Sequence, residues 1–229
     1  MHGEPSGALQ TAEIAHWITL CVMGVVYTLR VLWLLRFKAG KDRSPPGGGG
    51  RTSAKKGAYY SLANVAMPWS MESTRRGWFF YLTFAVFHLG ITCGIALAFI
   101  STLYRPFVEQ PVVAWTFGTF IGLAFLIGIG RMIRRISVPV MRLISTPDDY
   151  FSLSMLTIWF LIGTVTQAHI AGVRQFPEEG WIIAYLYLTS FFLLYVPFSK
   201  ISHYLYYPFT RWYIGKALGH RGSYPVLRG

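Results

Sequence analysis

Two histidines set in apolar surroundings, far apart in the chain, have the chemistry of metal ligands. His88 lies inside Phe84-Ala85-Val86-Phe87-His88-Leu89-Gly90-Ile91, and His203 closes Val196-Pro197-Phe198-Ser199-Lys200-Ile201-Ser202-His203. An ionisable side chain within a membrane segment is costly, so it faces the bundle interior and meets a partner. Imidazole also carries a nitrogen lone pair that suits iron. Two such residues on separate helices can hold a porphyrin from both faces, making an electron-transfer haem with no open coordination position. A hydrogen bond between helices is the other use of a lone intramembrane histidine.

The elements that must position these residues are legible in the hydropathy. The chain has 229 residues, 53% hydrophobic and 13% charged. The apolar residues gather in five runs, near 14–35, 78–103, 112–130, 151–171 and 181–199. A bilayer core takes about 20 residues of helix. With no water in hydrocarbon to satisfy backbone groups, five continuous runs mean five helices, and the lack of period-two alternation excludes a β-barrel. The expected fold is an all-α membrane bundle, one domain over the whole chain. The first run carries Glu4 and Glu13 but no Lys or Arg on its N-terminal flank, which is not the pattern of a cleaved signal peptide.

The net charge of +12 is distributed by topology. Of the 21 Lys and Arg, 19 fall on one side of the five runs, and only Arg105 and Arg174 on the other. This pattern places the N-terminus outside and the C-terminus in the cytoplasm. Basic loops against anionic lipid account for the charge, and the base-stacking modules of nucleic-acid binders are absent. Six of the tryptophans (Trp17, Trp78, Trp115, Trp159, Trp181, Trp212) fall mostly near run ends, as in an aromatic belt. Cys21 and Cys93 form no Cys-x-x-Cys or haem-attachment motif, so an iron–sulfur cluster must come from a partner. The polar loop 38–76 contains a flexible Pro/Gly linker at 44–50, followed by an aromatic stretch from Tyr59 to Trp69 suited to the bilayer surface or a partner. No strand and no Gly-Lys-Ser/Thr accompany the glycines, so they are not a phosphate loop. Asp148 and Asp149, beside Pro147, look like first-turn acids that complement a helix dipole.

Two further histidines join the first pair. His16 opens helix one and His169 ends helix four; these helices run in opposite directions, so both residues fall near the outer surface. His203 falls near the cytoplasmic surface, whereas His88 lies about 18 Å along helix two at 1.5 Å per residue. To share one iron they must be level, which requires helix two to start below the surface or helix five to bend at Pro197. Gly90, Gly94, Gly118, Gly122, Gly128 and Gly130 leave room either for a flat macrocycle or for close helix packing.

The stretches around His88 and His203, with Pro208-Phe209, resemble the haem-binding segments of the gamma subunit of respiratory nitrate reductase. The likeness extends across all five helices, including Arg134-Arg135 and Thr146-Pro147-Asp148-Asp149. Met67-Pro68-Trp69-Ser70-Met71-Glu72 resembles the branch found with heterodisulfide-reductase-like and sulfite-reductase-associated membrane complexes. The resemblance implies a multi-pass subunit of the prokaryotic cytoplasmic membrane, with haem b ligated by His88 and His203. It would pass electrons between a membrane quinone and a cytoplasmic iron–sulfur subunit. That family's second pair of histidines is missing: Ala98 and, approximately, Tyr185 stand there. His16 and His169 could serve a second haem instead, or a quinone site with Gln167 as a further contact. Lys200, Arg75, Arg76 and Arg211 are candidate haem-propionate contacts, with lipid contact as the alternative for each. No catalytic nucleophile–base pair is expected. The rival reading is a haem-free membrane anchor for a soluble enzyme complex; a transporter lacks the inverted repeat and paired broken helices it would need.

The charge pattern generates a direct test. A cysteine placed at Gly3 should react with an impermeant label on intact cells, and one at Gly48 should not. The reverse result would move His16 and His169 to the other leaflet.

Overall fold

A computed structural model describes residues 6–37, 53–70, 72–171 and 178–220. These residues form helices and no strand. The helices are α1 (Gly7–Leu35), α2 (Ala54–Ala63), α3 (Glu72–Arg76), α4 (Trp78–Leu103), α5 (Arg105–Val108), α6 (Pro111–Ser137), α7 (Pro139–Leu143), α8 (Pro147–Ile170), α9 (Glu178–Tyr195) and α10 (His203–His220). Five segments are long and apolar enough to cross a membrane: α1, α4, α6, α8 and Glu179–Phe198. Helix one starts at Gly7 rather than near residue 14, and the third run continues as helix to Ser137. The linker at 44–50 and Arg174 lie outside the described residues.

The chain divides into two compact units, one of Met1–Val26 with Leu82–Ile201 and one of Tyr27–Tyr81 with Ser202–Gly229. The first unit holds the core. Phe87, Leu97, Ile121, Trp159, Phe160 and Tyr185 are buried together, drawn from α4, α6, α8 and α9. Leu9 and Ala12 of α1 bury against Ile182 and Leu186 of α9. Small residues set how closely these helices approach. A Cβ on Gly90 would strike the Phe120 carbonyl, one on Gly94 the Trp159 ring, and one on Gly128 the Thr157 hydroxyl. Of the two uses open to the glycines, these three serve close packing. Trp159, placed by sequence in the belt, is 3% exposed and belongs to the core.

Two helix boundaries are chemically explicit. Pro111 and Pro147 sit at first helical positions, where a missing N–H costs nothing. Thr146 precedes α8, and Asp149 reaches back to its backbone N–H at 2.8 Å. At the other end of the chain, Pro197 cannot donate to the helical ladder. There α9 gives way to a 3-10 turn at Val196–Phe198, an extended Ser199, and a second 3-10 turn at Lys200–Ser202 before α10 begins.

The second unit contains an element that hydropathy does not reveal. The stretch from His203 to His220 is the helix α10, and it packs against α2 from the polar loop. Gly57 and Ser61 on α2 meet Gly215 and Gly219 on α10, each pair four residues apart. The two backbones touch there, and Arg211 Nε donates to the Ser61 carbonyl at 3.1 Å. Tyr59 and Trp212 meet edge to face at 5.4 Å. The C-terminal part of α1 joins this unit through the Tyr27–Tyr204 hydroxyl contact at 2.6 Å and Arg30 to Tyr206 at 3.2 Å.

Gly57→Leu should therefore separate α2 from α10, costing about 1–3 kcal/mol as an overpacked contact. Limited proteolysis in detergent should show faster cleavage in the second unit. Gly24→Leu, where a Cβ meets nothing within 4 Å, should leave the pattern unchanged.

Candidate functional site

His88 lies three turns into α4 and is half-buried. Its Nδ1 is 2.8 Å from the Phe84 carbonyl oxygen, one turn back. A carbonyl only accepts, so Nδ1 carries a proton; in the neutral imidazole Nε2 then holds the lone pair. This is the tautomer in which an imidazole ligates a metal through Nε2, with the other nitrogen oriented by a backbone acceptor. The rings of Phe84 and Phe87 lie 4.2 and 6.0 Å from the imidazole. Phe87 is itself buried, with its ring 5.3 Å from that of Phe160.

Arg131 is a residue that sequence reasoning passed over. Hydropathy ends the third run at Gly130, which makes Arg131 a loop cation. The structure continues α6 to Ser137, so Arg131 sits within the helix, half-buried, with its guanidinium 4.2 Å from the centre of the Phe87 ring. The signal available in sequence was that Met132, Ile133 and Ile136 continue the apolar pattern between and beyond Arg131, Arg134 and Arg135.

His203 is the exposed first residue of α10 and belongs to the second unit, whereas His88 belongs to the first. The cations expected near a propionate are mostly engaged elsewhere. Lys200 Nζ donates to Thr146 Oγ1 at 2.8 Å and to Asp149 Oδ2 at 3.0 Å. Arg135 lies 3.8 Å from the same carboxylate oxygen and donates to Ser145 Oγ at 2.7 Å. Arg76 pairs with Glu72 at 2.6 Å, Arg211 is bound to the Ser61 carbonyl, and Arg75 is exposed on the short α3.

The residues expected at the outer end divide differently from the sequence pairing. His16 is fully buried on α1, one turn beyond Ala12 on the face that packs against α9. Neither of its ring nitrogens has a hydrogen-bond partner among the described residues. Phe99 and Trp17 surround it edge-on at 5.0 and 5.8 Å. Gln167 is 1% exposed; its Nε2 donates to the Val108 carbonyl at 3.3 Å, while its Oε1 has no partner among the described residues. His169 is half-buried in the last turn of α8. The buried, unsatisfied groups are thus His16 and Gln167, and each such atom costs about 1–3 kcal/mol if nothing meets it.

Ala98 and Tyr185 are both buried in the core. Tyr185 donates its hydroxyl to the Gly94 carbonyl at 2.7 Å and stacks on Trp159 at 5.5 Å. Trp159 donates in turn to Thr189 Oγ1 at 2.9 Å. Among the described residues no group of three or more His, Cys, Asp or Glu is gathered as a metal site. A haem iron held by two imidazoles needs no such group. The fixed tautomer of His88 and the unpaired nitrogens of His16 both fit nitrogen ligation.

No family model and no solved structure matches the chain. A protein of Nitratidesulfovibrio vulgaris is 25% identical over 178 residues, which cover 76% of this chain and 74% of the relative.

The Asp149 carboxylate receives the Thr146 N–H, the Thr146 hydroxyl and the Lys200 ammonium. Asp149→Ala should cost about 1–2 kcal/mol through the lost helix cap, lowering the midpoint of thermal unfolding in detergent. An unchanged midpoint would show that the cluster contributes nothing to stability.

Proposed function

We propose that the chain is the haem b membrane subunit of a respiratory oxidoreductase complex. In this reading it carries electrons between membrane quinone and an iron–sulfur subunit bound on the cytoplasmic side. The observation that carries the reading is the His88 Nδ1 hydrogen bond to the Phe84 carbonyl, which directs a lone pair to Nε2 inside an apolar span. His88 and His203 are the proposed axial ligands, His203 on the strength of its sequence segment. A bis-histidine haem supplies reversible one-electron transfer without an open position for oxygen.

The residues around this function have separable tasks. Phe84 and Phe87 flank the His88 imidazole with apolar rings, which lowers the local dielectric. The outer end is a second functional place. His16 is buried with two unpaired nitrogens, which favours a ligand there. It acts either as a nitrogen ligand to a second iron, with His169, or as the acceptor of a proton released when a quinol is oxidised. Gln167 Oε1 is a further acceptor at that end. The chain supplies no cluster of its own, so the partner must hold the iron–sulfur centres.

The test is a reduced-minus-oxidised spectrum with haem quantitation on the complex purified in mild detergent. The wild type should show low-spin b-type haem together with an iron–sulfur subunit, and either His88→Ala or His203→Ala should abolish the low-spin signal or sharply reduce haem content. A full low-spin spectrum in both variants would overturn the ligand assignment, and a wild type without haem would leave the anchor reading. Two haems falling to one in His16→Ala would mark a second iron. One haem throughout, with quinol oxidation impaired, would mark a quinone site.

A further inference from the structure

Arg131 is an ionisable group within a span, and no described residue supplies its counter-charge. It lies on α6, six residues before the helix ends at Ser137, and it is half-buried. No Asp or Glu among the described residues pairs with it. Arg135, one turn further on, reaches Ser145 and Asp149, so the Asp149 carboxylate is taken up by that neighbour and by Lys200. A half-buried charge on an apolar helix is costly unless something of opposite sign meets it.

Its surroundings say what would fit. The guanidinium carbon is 4.2 Å from the centre of the Phe87 ring. Stacking on an aromatic face uses the flat surface of the guanidinium and leaves its N–H donors around the edge. Such an edge matches a planar anion that accepts two hydrogen bonds, and a carboxylate is that group. The position is also informative. Phe87 precedes His88 in the chain, and the two ring centres are 6.0 Å apart. The guanidinium and the imidazole can therefore be no farther apart than these two distances laid end to end. Haem carries two propionate carboxylates at its edge, whereas Lys200, Arg75, Arg76 and Arg211 are exposed or engaged.

We infer that Arg131 binds a propionate of the haem held at His88. The inference rests on the haem reading above. It makes Arg131 a cofactor-binding residue that compensates carboxylate charge inside the membrane, while Phe87 fixes the angle of its guanidinium. A lipid phosphate is the other anion that could meet the same donors.

The experiment is redox titration of the b-type haem in the purified wild-type complex and in Arg131→Gln and Arg131→Lys. Haem-site resonance Raman and native mass spectrometry of retained phospholipid accompany it. Loss of the compensating charge should lower the haem midpoint potential in Arg131→Gln, because the unpaired propionate disfavours the added electron. Arg131→Lys should recover most of the potential but shift the propionate bending band, since an ammonium cannot form the two-pronged contact. That band is one a merely structural role would leave in place, and Arg131→Lys carries the test alone if Arg131→Gln does not accumulate. Wild-type potential and an unmoved propionate band in the variants would overturn the assignment to Arg131 while leaving the haem. The same spectra with fewer retained anionic phospholipids would also overturn it, and would assign the anion to lipid. Equal loss of haem from both variants would make Arg131 structural and overturn it too. A wild type without haem would overturn the haem reading and this inference together.

Discussion

Hydrocarbon offers no water, so a polar atom inside a span must find its partner within the protein or hold something else. Most polar atoms of the five spans obey this locally. The hydroxyls of Thr92, Thr116, Thr157, Thr164 and Ser190 each donate to the carbonyl one turn back. Trp159, Thr189, Tyr185 and the Gly94 carbonyl form a relay across α4, α8 and α9. Such bonds hold the interior without importing charge. Against that background the two nitrogens of His16 and Oε1 of Gln167 have no hydrogen-bond partner among the described residues, and the guanidinium of Arg131 meets the Phe87 ring.

The same constraint explains the use of small residues. Lipid tails are as apolar as Leu, so helices in a bilayer are not driven together by water and must gain from close contact. Gly94 lets the Trp159 ring reach the α4 backbone, and Gly163 does the same for the Tyr185 ring on α8. A rigid aromatic layer then lies beneath His88, with Phe87 against Phe160 and Phe160 against Trp159. In the second unit Gly57, Gly215 and Gly219 apply the same device to two short helices. There the closest contact is made by small residues, with Tyr59 and Trp212 meeting beside it.

How much of this is legible in the sequence varies with the physics behind each feature. The five spans are plain, because a run of about 20 apolar residues fits a bilayer core and little else. The acids before helix four are plain for a similar reason: Thr146-Pro147-Asp148-Asp149 is helix-start chemistry, and Asp149 caps α8. The α2–α10 pair is hidden, because its signal is two spaced small residues on each helix and not a stripe of hydrophobicity. Arg131 is hidden by the hydropathy window, which stops at the first charge whether or not the helix does. The pairing of His16 with His169 comes from matched depth alone. Depth says nothing about which way a side chain faces: His16 and Gln167 are buried, and His169 is half-buried.

The depth problem at His203 has a similar origin. Counting 1.5 Å per residue from the basic flank puts His88 deeper than His203, but that count assumes uninterrupted α-helix. Between Val196 and Ser202 the backbone is two 3-10 turns separated by an extended residue, Ser199 at φ −106° and ψ 172°. A 3-10 turn rises about 2.0 Å per residue and an extended residue about 3.3 Å. Each of these residues therefore advances the chain by more than the helical 1.5 Å. Pro197 starts this change by withholding one N–H from the ladder, and Lys200 closes it by tying the second turn to Asp149 and Thr146. A helical ruler therefore does not give the depth of His203.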